Sequence, residues 1–193
     1  MPRHREFDTT LALERAMELF WRQGYHDTSL DDLVEAMGVQ RYGIYTVFKS
    51  KHDLYLAALD HYQQTVSASL VTPLETADAS LPAIKEYFAQ LVVFATSPVR
   101  NQGCLMCNTI AELVPHDTAA ATKVAAWQQR SHAALRNALG NARAEGAIPA
   151  TLDLDAAAHY LAGLAIGVSV YGKSSVDASA VVAYARLGLA VLV

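Results

Sequence analysis

Residues 29–54 contain two short helix signals separated by a tight turn and followed at once by a third helix start. The first helix begins at Ser29, whose hydroxyl can cap free backbone amides while Asp32, three residues later, reaches back as its capping-box partner. Gly38 then supplies the left-handed residue that ends this helix. The spacing predicts a helix-turn-helix, a motif whose second helix enters a groove of DNA.

The second helix of this motif, the recognition helix, starts near Gln40 or Arg41 and has two different faces. Ile44 and Phe48 lie four residues apart, so they share the face that we expect to be buried. A further cap at Ser50 indicates that the next helix starts immediately. The outward positions carry the side chains available to DNA: Arg41, Tyr42, Tyr45 and Thr46.

An amphipathic helix is predicted before the motif. Its apolar residues recur at helical spacing and stop at Gly24: Leu13, Ala16, Met17, Phe20 and Trp21. This stripe should pack against the two short helices, which predicts a three-helix N-terminal domain.

The same segment resembles the N-terminal domain of the tetracycline-repressor (TetR) family of bacterial transcription regulators. The resemblance implies an all-α fold with a three-helix helix-turn-helix domain over residues 1–60, followed by a helical ligand-binding and dimerisation domain over residues 61–193. Family members usually carry a small hydroxyl residue where Gln40 stands, and Gly or Ala followed by Thr or Ser where Tyr42 and Gly43 stand. These two departures change which groove atoms can be reached. The matching positions keep the family's order and spacing: Gly24-Tyr25, Thr28-Ser29, Gly38-Val39, Ile44-Tyr45, Phe48 and Ser50-Lys51.

The resemblance also implies which residues contact DNA. Lys51 is the strongest phosphate candidate, because a cation at a helix start is disfavoured by the helix dipole unless a phosphate lies nearby. Tyr45 could contact phosphate or pack in the core, and the resemblance favours the phosphate. The predicted DNA-binding set is Ser29, Gln40, Arg41, Tyr42, Gly43, Tyr45, Thr46 and Lys51.

Bulk charge does not by itself indicate DNA binding. The chain carries a net charge of −4, and residues 1–60 hold 10 acidic against 7 basic side chains. The placement of the basic residues is the counterargument, because Arg41, Lys49 and Lys51 cluster at the recognition helix and its exit. Arg3 and Arg5 lie on an expected flexible arm.

The rest of the chain is predicted to be helical, and 52% hydrophobic residues can fill a sizeable core. A long fourth helix should run from Ser50 to about Leu70 and end before a Thr72-Pro73 break. Cap and breaker residues predict five more helices, over about 80–97, 104–114, 118–145, 153–172 and 177–193.

The last two predicted helices are apolar on more than one face, which usually marks a partner surface. We therefore expect a homodimer through these helices. Gly163 and Gly167 lie one turn apart, a spacing that lets another helix approach closely if their face meets the partner. A buried monomer core and a membrane-associated tail over 181–193 are the alternatives, although Arg186 interrupts that tail. The absence of a signal segment and of an apolar run approaching about 20 residues predicts a cytoplasmic protein with no membrane partner.

Cys104 and Cys107 form a Cys-x-x-Cys pair, with His116 just beyond the far end of the same predicted helix. Thiols at i and i+3 share a helical face, so they could bind a metal, react with an electrophile or form a strained disulfide. A zinc site requires four ligands, however, and free cysteine is usually a small buried hydrophobe, so packing is the favoured interpretation. No metal site and no cofactor are predicted. Catalytic motifs at convincing spacing are also absent, so an enzyme is not predicted.

The sequence thus predicts a homodimeric repressor that a small-molecule effector releases from a palindromic, double-stranded DNA operator. The alternatives are a helical thiol-based redox or metal-responsive protein that uses Cys104 and Cys107, and a ligand-binding helical protein without a DNA role. The candidate effector-binding residues combine apolar walls with a few polar groups: Phe88, Cys107, Trp127, Ser131 and Tyr160.

Overall fold

The computed structural model describes residues 8–174 and 176–192, which contain ten α-helices and no β-strand. The all-α prediction is therefore confirmed, while Arg3 and Arg5 lie outside the described residues. A π-helical turn, Gln63–Ser67, joins α4 to α5, and short 3₁₀ turns lie at Arg100–Gln102 and Ala190–Leu192. The helices are α1 Thr9–Gln23, α2 Leu30–Met37, α3 Arg41–Phe48, α4 Lys51–Tyr62, α5 Ala68–Glu75, α6 Leu81–Ala95, α7 Leu105–Glu112, α8 Thr118–Ala144, α9 Leu154–Lys173 and α10 Ala178–Leu189.

The helix boundaries in the N-terminal part follow local capping chemistry. Ser29 and Asp32 form the complete capping box of α2, and Gly38 ends that helix with φ 67° in the left-handed region. Ser50 Oγ accepts a hydrogen bond from the Asp53 amide at the start of α4. The turn between α3 and α4 is so tight that Lys49 adopts φ 63°, a conformation that non-glycine residues rarely take. The predicted helix-turn-helix boundaries are confirmed.

The predicted break at Thr72-Pro73 is wrong. The helical path continues past residue 70, and Pro73 lies inside α5, which ends only at Glu75. Proline removes one backbone hydrogen bond from a helix interior. Val71 and Leu74 on either side of it are buried in the core, and this packing keeps the last turn helical. The irregularity occurs earlier, at the π-helical turn.

The hydrophobic core has two parts, and their boundary does not follow residue 60. One cluster joins α1–α4 to the buried residues of α7 and the start of α8, including Leu105, Met106 and Val124. The other cluster joins α5, α6, α9 and α10 to the C-terminal part of α8. Because α7 completes the first core, the helix-turn-helix domain packs directly on a segment that is more than 40 residues away along the chain. The division of the chain at residue 60 stays a prediction.

The expectation that no apolar run approaches about 20 residues is wrong for α9. This helix has 20 residues and is, by length and composition, apolar enough to cross a membrane. A core helix passes the same test, and α9 packs along α6, α8 and α10. Packing within the fold accounts for the buried side of α9, which includes Leu161, Leu164 and Val168, whereas Val170 and Tyr171 are exposed.

Candidate DNA-binding face and ligand cavity

The outer face of α3 is exposed while its inner face anchors it to the core. Ile44 is fully buried, and Tyr42 is 67% exposed. Arg41 Nη2 donates a hydrogen bond to Asp31 Oδ1 at 2.6 Å, and both side chains are open to solvent. Because an exposed ion pair of this kind contributes little to stability, the Arg41 guanidinium can exchange Asp31 for a DNA group at low cost. Gln40, the N-cap residue of α3, is exposed, as are Tyr45 and Thr46, whereas Gly43 is half-buried.

Lys51 lies at the start of α4 with its ammonium over the ring of Tyr25, 4.4 Å from the ring centroid. A cation in this position is attracted by the ring quadrupole. Partial burial lowers the pKa of the Lys51 ammonium, although attraction from Glu112, Asp27 and Asp32 opposes that effect. Lys51 is thus held beside the loop between α1 and α2 before any DNA is present.

Two of the predicted DNA contacts already use their hydroxyl groups within the fold. Ser29 Oγ donates to Asp32 Oδ2 at 2.7 Å and accepts from the Asp32 amide. Thr46 Oγ1 donates to the Tyr42 carbonyl oxygen at 2.8 Å. Ser29 is therefore needed to cap α2, whatever it contributes to a DNA contact.

A largely apolar cavity of about 190 Å³ lies where the two hydrophobic clusters meet. Trp21 from α1 and Tyr62 from α4 form one wall, with their ring centroids 5.0 Å apart. Trp127 from α8 closes another side, and its indole Nε1 donates to Ser67 Oγ in the π-helical turn. The remaining lining residues come from α5, α6, α7 and α9 and from the segments beside them: Val66, Ser69, Leu70, Val71, Tyr87, Leu91, Phe94, Cys104, Cys107, Ala165, Ile166 and Ser169.

This cavity contains only part of the predicted effector-binding set. Cys107 and Trp127 line it, whereas Phe88, Ser131 and Tyr160 do not. Phe88 is fully buried in the second hydrophobic cluster. It follows the cavity residue Tyr87 on α6, and successive residues of a helix point in different directions. Tyr160 is exposed on α9. Helical periodicity alone could not separate these faces, because every candidate lies on a helix that also packs against others.

Cys104, for which packing was the favoured interpretation, has the lower pKa of the two thiols. It is the N-cap residue of α7, is partly exposed and lines the cavity. The Cys107 thiol, the Tyr62 hydroxyl and nearby backbone amides of α7 stabilise its thiolate and lower the pKa of Cys104 to about 7. Tyr62 Oη donates to Cys104 Sγ at 3.5 Å. The neighbouring Cys104 and burial instead raise the pKa of Cys107.

α7 connects the cavity to the helix-turn-helix. At its start, the Gly103 carbonyl oxygen accepts a hydrogen bond from Trp21 Nε1 at 2.8 Å. At its end, the Glu112 carboxylate accepts hydrogen bonds from the backbone amides of Tyr25 and His26, at 3.0 and 2.7 Å. A displacement of α7 would therefore pull on the loop that positions α2.

The outer face of α9 and α10, here called the α9–α10 face, exposes an unusually apolar surface. Leu187 is 76% exposed, the largest value among the exposed apolar side chains of the described residues. Gly163 has open space beside it, but a side chain at Gly167 would collide with Tyr184 of the same chain. Gly167 nevertheless borders the same shallow surface pocket as Val170, Tyr184 and Leu187, so its contact with a partner stays a prediction. The α9–α10 face consists of Val170, Tyr171, Tyr184 and Leu187, which border one shallow surface pocket.

Comparison with known families agrees with this architecture over most of the chain. Residues 12–58 match the family described as bacterial regulatory proteins, tetR family. Residues 80–186 match the tetracyclin repressor-like C-terminal domain. The chain belongs to the TetR family. It is a DNA-binding transcriptional regulator.

Three relatives of this TetR family regulator span most or all of its length. It is 30% identical to the uncharacterized HTH-type transcriptional regulator YezE of Bacillus subtilis (strain 168), over all of both chains. It is 33% identical to the HTH-type transcriptional repressor ComR of Escherichia coli (strain K12), over 89% of this chain and 82% of ComR. Its fold superposes with a TM-score of 0.85 on a cysteine-substituted form of the TetR family regulator CifR in complex with a 26-bp double-strand operator DNA, at 28% identity and full coverage of both chains.

In this TetR family regulator, sequence reasoning missed the residues that tie the cavity to the DNA-binding part. Glu112 ends an ordinary-looking helix, and nothing in its neighbourhood along the chain points to the amides of Tyr25 and His26. The separation is more than 80 residues, so only the tertiary fold brings these groups together. Trp21 was recognised as a core residue, but its role as a cavity wall required the same long-range information.

Proposed function

We propose that this chain is a homodimeric repressor that binds a palindromic, double-stranded operator and leaves it when a small molecule occupies the cavity. The observation that carries the proposal is the position of α7, which lines the cavity at its start and holds the α1–α2 loop at its end. The N-terminal 60 residues then supply the DNA contacts, and residues 61–193 supply effector binding and dimerisation. We assign it no catalytic role and place it in the cytoplasm.

Operator binding depends on the distance between the two recognition helices of the dimer. Two recognition helices of a dimer must lie about 34–36 Å apart to enter successive major grooves on one side of B-DNA. We assign base contacts to the exposed α3 positions, above all Arg41, and phosphate contacts to Lys51 and the ends of the motif. The 26-bp duplex in the CifR complex has room for two half-sites one helical turn apart, which agrees with binding by a dimer.

The size and chemistry of the cavity restrict the effector. An engineered protein cavity of about 150 Å³ with apolar walls binds benzene, so about 190 Å³ suits a small, mostly apolar molecule, such as one with a single aromatic ring. Ser67 and Ser169 offer the hydroxyl groups that could orient one polar substituent. A ligand that separates Trp21 from Tyr62 would displace the start of α7, and coupling of about 1–3 kcal/mol would suffice for a useful switch.

Selection of bound sequences from random DNA tests the proposal directly with the full chain. We expect an inverted repeat whose half-sites are centred about 10 base pairs apart, bound by a dimer. Failure to enrich any sequence would contradict the DNA step. Enrichment of a single, unrepeated site would contradict the dimeric mode of binding.

A second candidate concerns the class of effector and rests on the environment of Cys104. A partly exposed thiol with a lowered pKa, facing a cavity with apolar walls, is suited to attack a small electrophile. The thiolate sulfur would add to the electron-poor carbon of a conjugated carbonyl compound, and solvent would supply the proton that completes the adduct. The new bulk in the cavity would then act on α7 as a bound ligand does.

Alkylation by N-ethylmaleimide of the full chain, measured against pH, separates covalent from reversible sensing. The Cys104 thiolate should dominate above about pH 7, so its alkylation rate should reach half its maximum there, rather than near pH 8.5 as for an ordinary thiol. Cys104→Ser should abolish both the fast alkylation and any release from DNA that N-ethylmaleimide causes. Cys107→Ser keeps the Cys104 thiol and should still be alkylated and released, with the half-maximum moved to higher pH because the Cys107 thiol helps to lower the pKa of Cys104. Equal release from the wild type and Cys104→Ser would leave reversible binding as the mode of sensing.

A further inference from the structure

Three side chains with ligating atoms meet on the surface between α8 and α9, and none of them lines the cavity. They are His132 of α8 and Asp155 and His159 of α9, and one ligand atom from each lies within 4.8 Å of the others. Asp155 and His159 are four residues apart, so both project from the same face of α9. The two imidazole ring centroids are 4.0 Å apart. The pair on α9 is thus complemented by a third group from the neighbouring helix.

One nitrogen atom of His132 has no hydrogen-bond partner in this cluster. Its Nε2 atom is closed off from solvent, yet it has no hydrogen-bond partner among the described residues. It lies 3.7 Å from Asp155 Oδ1, which is too long for a hydrogen bond. Two ligands of one tetrahedral zinc ion, each about 2.1 Å from the metal, lie roughly 3.4 Å apart. The distance between His132 Nε2 and Asp155 Oδ1 is therefore close to the distance between two ligand atoms of one zinc ion.

We propose that His132, Asp155 and His159 form a zinc site, with the exposed fourth position taken by water. Two imidazoles and one carboxylate are a ligand set that suits Zn²⁺. The ion would link α8 to α9 through side chains of both helices. α9 also lines the cavity and carries the α9–α10 face, so the ion would hold a helix on which both depend.

Arg136 limits the affinity of this site and provides a sharp control. Its Nε donates to Asp155 Oδ1 at 3.0 Å, so the guanidinium both occupies a carboxylate lone pair and repels a cation. The Arg136 side chain is more than half exposed and can move away into solvent. Removing its charge should therefore tighten zinc binding, whereas removing a ligand should weaken it.

The test is a chelator-competition titration of the EDTA-treated full chain with Zn²⁺, carried out in a Cys104→Ser/Cys107→Ser background so that thiols cannot bind the metal. We expect one zinc per chain and a thermal midpoint that rises with Zn²⁺ concentration. His132→Ala and His159→Ala should each weaken binding at least about tenfold. Arg136→Gln should strengthen it, and the exposed His116→Ala should leave it unchanged.

Circular dichroism of each variant establishes that the helices are retained. Absence of zinc binding at micromolar concentrations in both the background chain and Arg136→Gln would overturn the proposal. So would stoichiometric binding that survives both His132→Ala and His159→Ala, because the metal would then lie elsewhere.

Discussion

Replacing Arg41 by alanine and replacing Lys51 by alanine should weaken DNA binding in different ways. Arg41→Ala removes an exposed α3 side chain that can reach base edges, so operator affinity should fall by about 1–3 kcal/mol and base preference should relax. Lys51→Ala removes the phosphate contact that we propose, so the affinity for all sequences should fall alike. The slope of log affinity against log salt concentration should become shallower by about one unit. Titrations of the selected operator and its single-base variants at several salt concentrations separate the two effects.

Asp31→Ala is the matched control for Arg41, because it removes the ion pair seen in the free protein without touching α3. Operator affinity should stay the same or increase, since Asp31 competes with DNA for the guanidinium. If Arg41→Ala and Lys51→Ala both bind as the wild type does, α3 does not dock on DNA in this way.

At the scale of helices, Glu112 at the end of α7 offers a test of coupling between the cavity and the DNA-binding part. Glu112→Gln leaves one oxygen acceptor where the carboxylate serves two amides, so the free energy of unfolding should fall by about 1–3 kcal/mol. Hydrogen exchange at the Tyr25 and His26 amides should become faster. Denaturant unfolding and exchange measurements check the two effects, with the exposed Glu35→Gln as the control. Unchanged exchange at both amides would mean that Glu112 does not secure the loop.

Local chemistry made some helices predictable and others not. The capping box at Ser29 and the left-handed Gly38 lie within one short segment, so α2 could be bounded from sequence. Pro73 misled the prediction because its local cost is outweighed by the burial of Val71 and Leu74, which depends on the tertiary fold. The α3 candidates likewise came from local spacing. The cavity could not be predicted, because its walls come from helices that are far apart along the chain.

For the whole molecule, Leu187→Arg should dissociate the dimer that we propose. Leu187 is largely exposed on the α9–α10 face, so arginine there should be tolerated by the monomer but should place an unpaired charge in the interface. Operator affinity should drop steeply, since the second half-site is no longer delivered at high effective concentration. Sedimentation and operator titration of the same sample measure both quantities.

Val93→Arg is the control for this experiment, because Val93 on α6 is an equally apolar residue with 70% exposure that lies outside the α9–α10 face. It should remain dimeric and bind the operator normally. A Leu187→Arg protein that is monomeric yet binds the full palindrome as tightly as the wild type would break the connection between dimer formation and DNA affinity. A Leu187→Arg protein that stays dimeric would show that the dimer interface lies elsewhere.

The shared hydrophobic cluster of α1–α4 with α7 restricts how regulators of this shape can be recombined. An engineer who joins the first 60 residues of one relative to the remainder of another separates Leu105 and Met106 from the side chains that evolved around them. Mismatched volumes at such positions cost about 1–3 kcal/mol each. A functional hybrid would therefore need α7 and the start of α8 from the same relative that supplies the helix-turn-helix domain. The segments that must be exchanged together to transfer DNA specificity are thus separated in the gene.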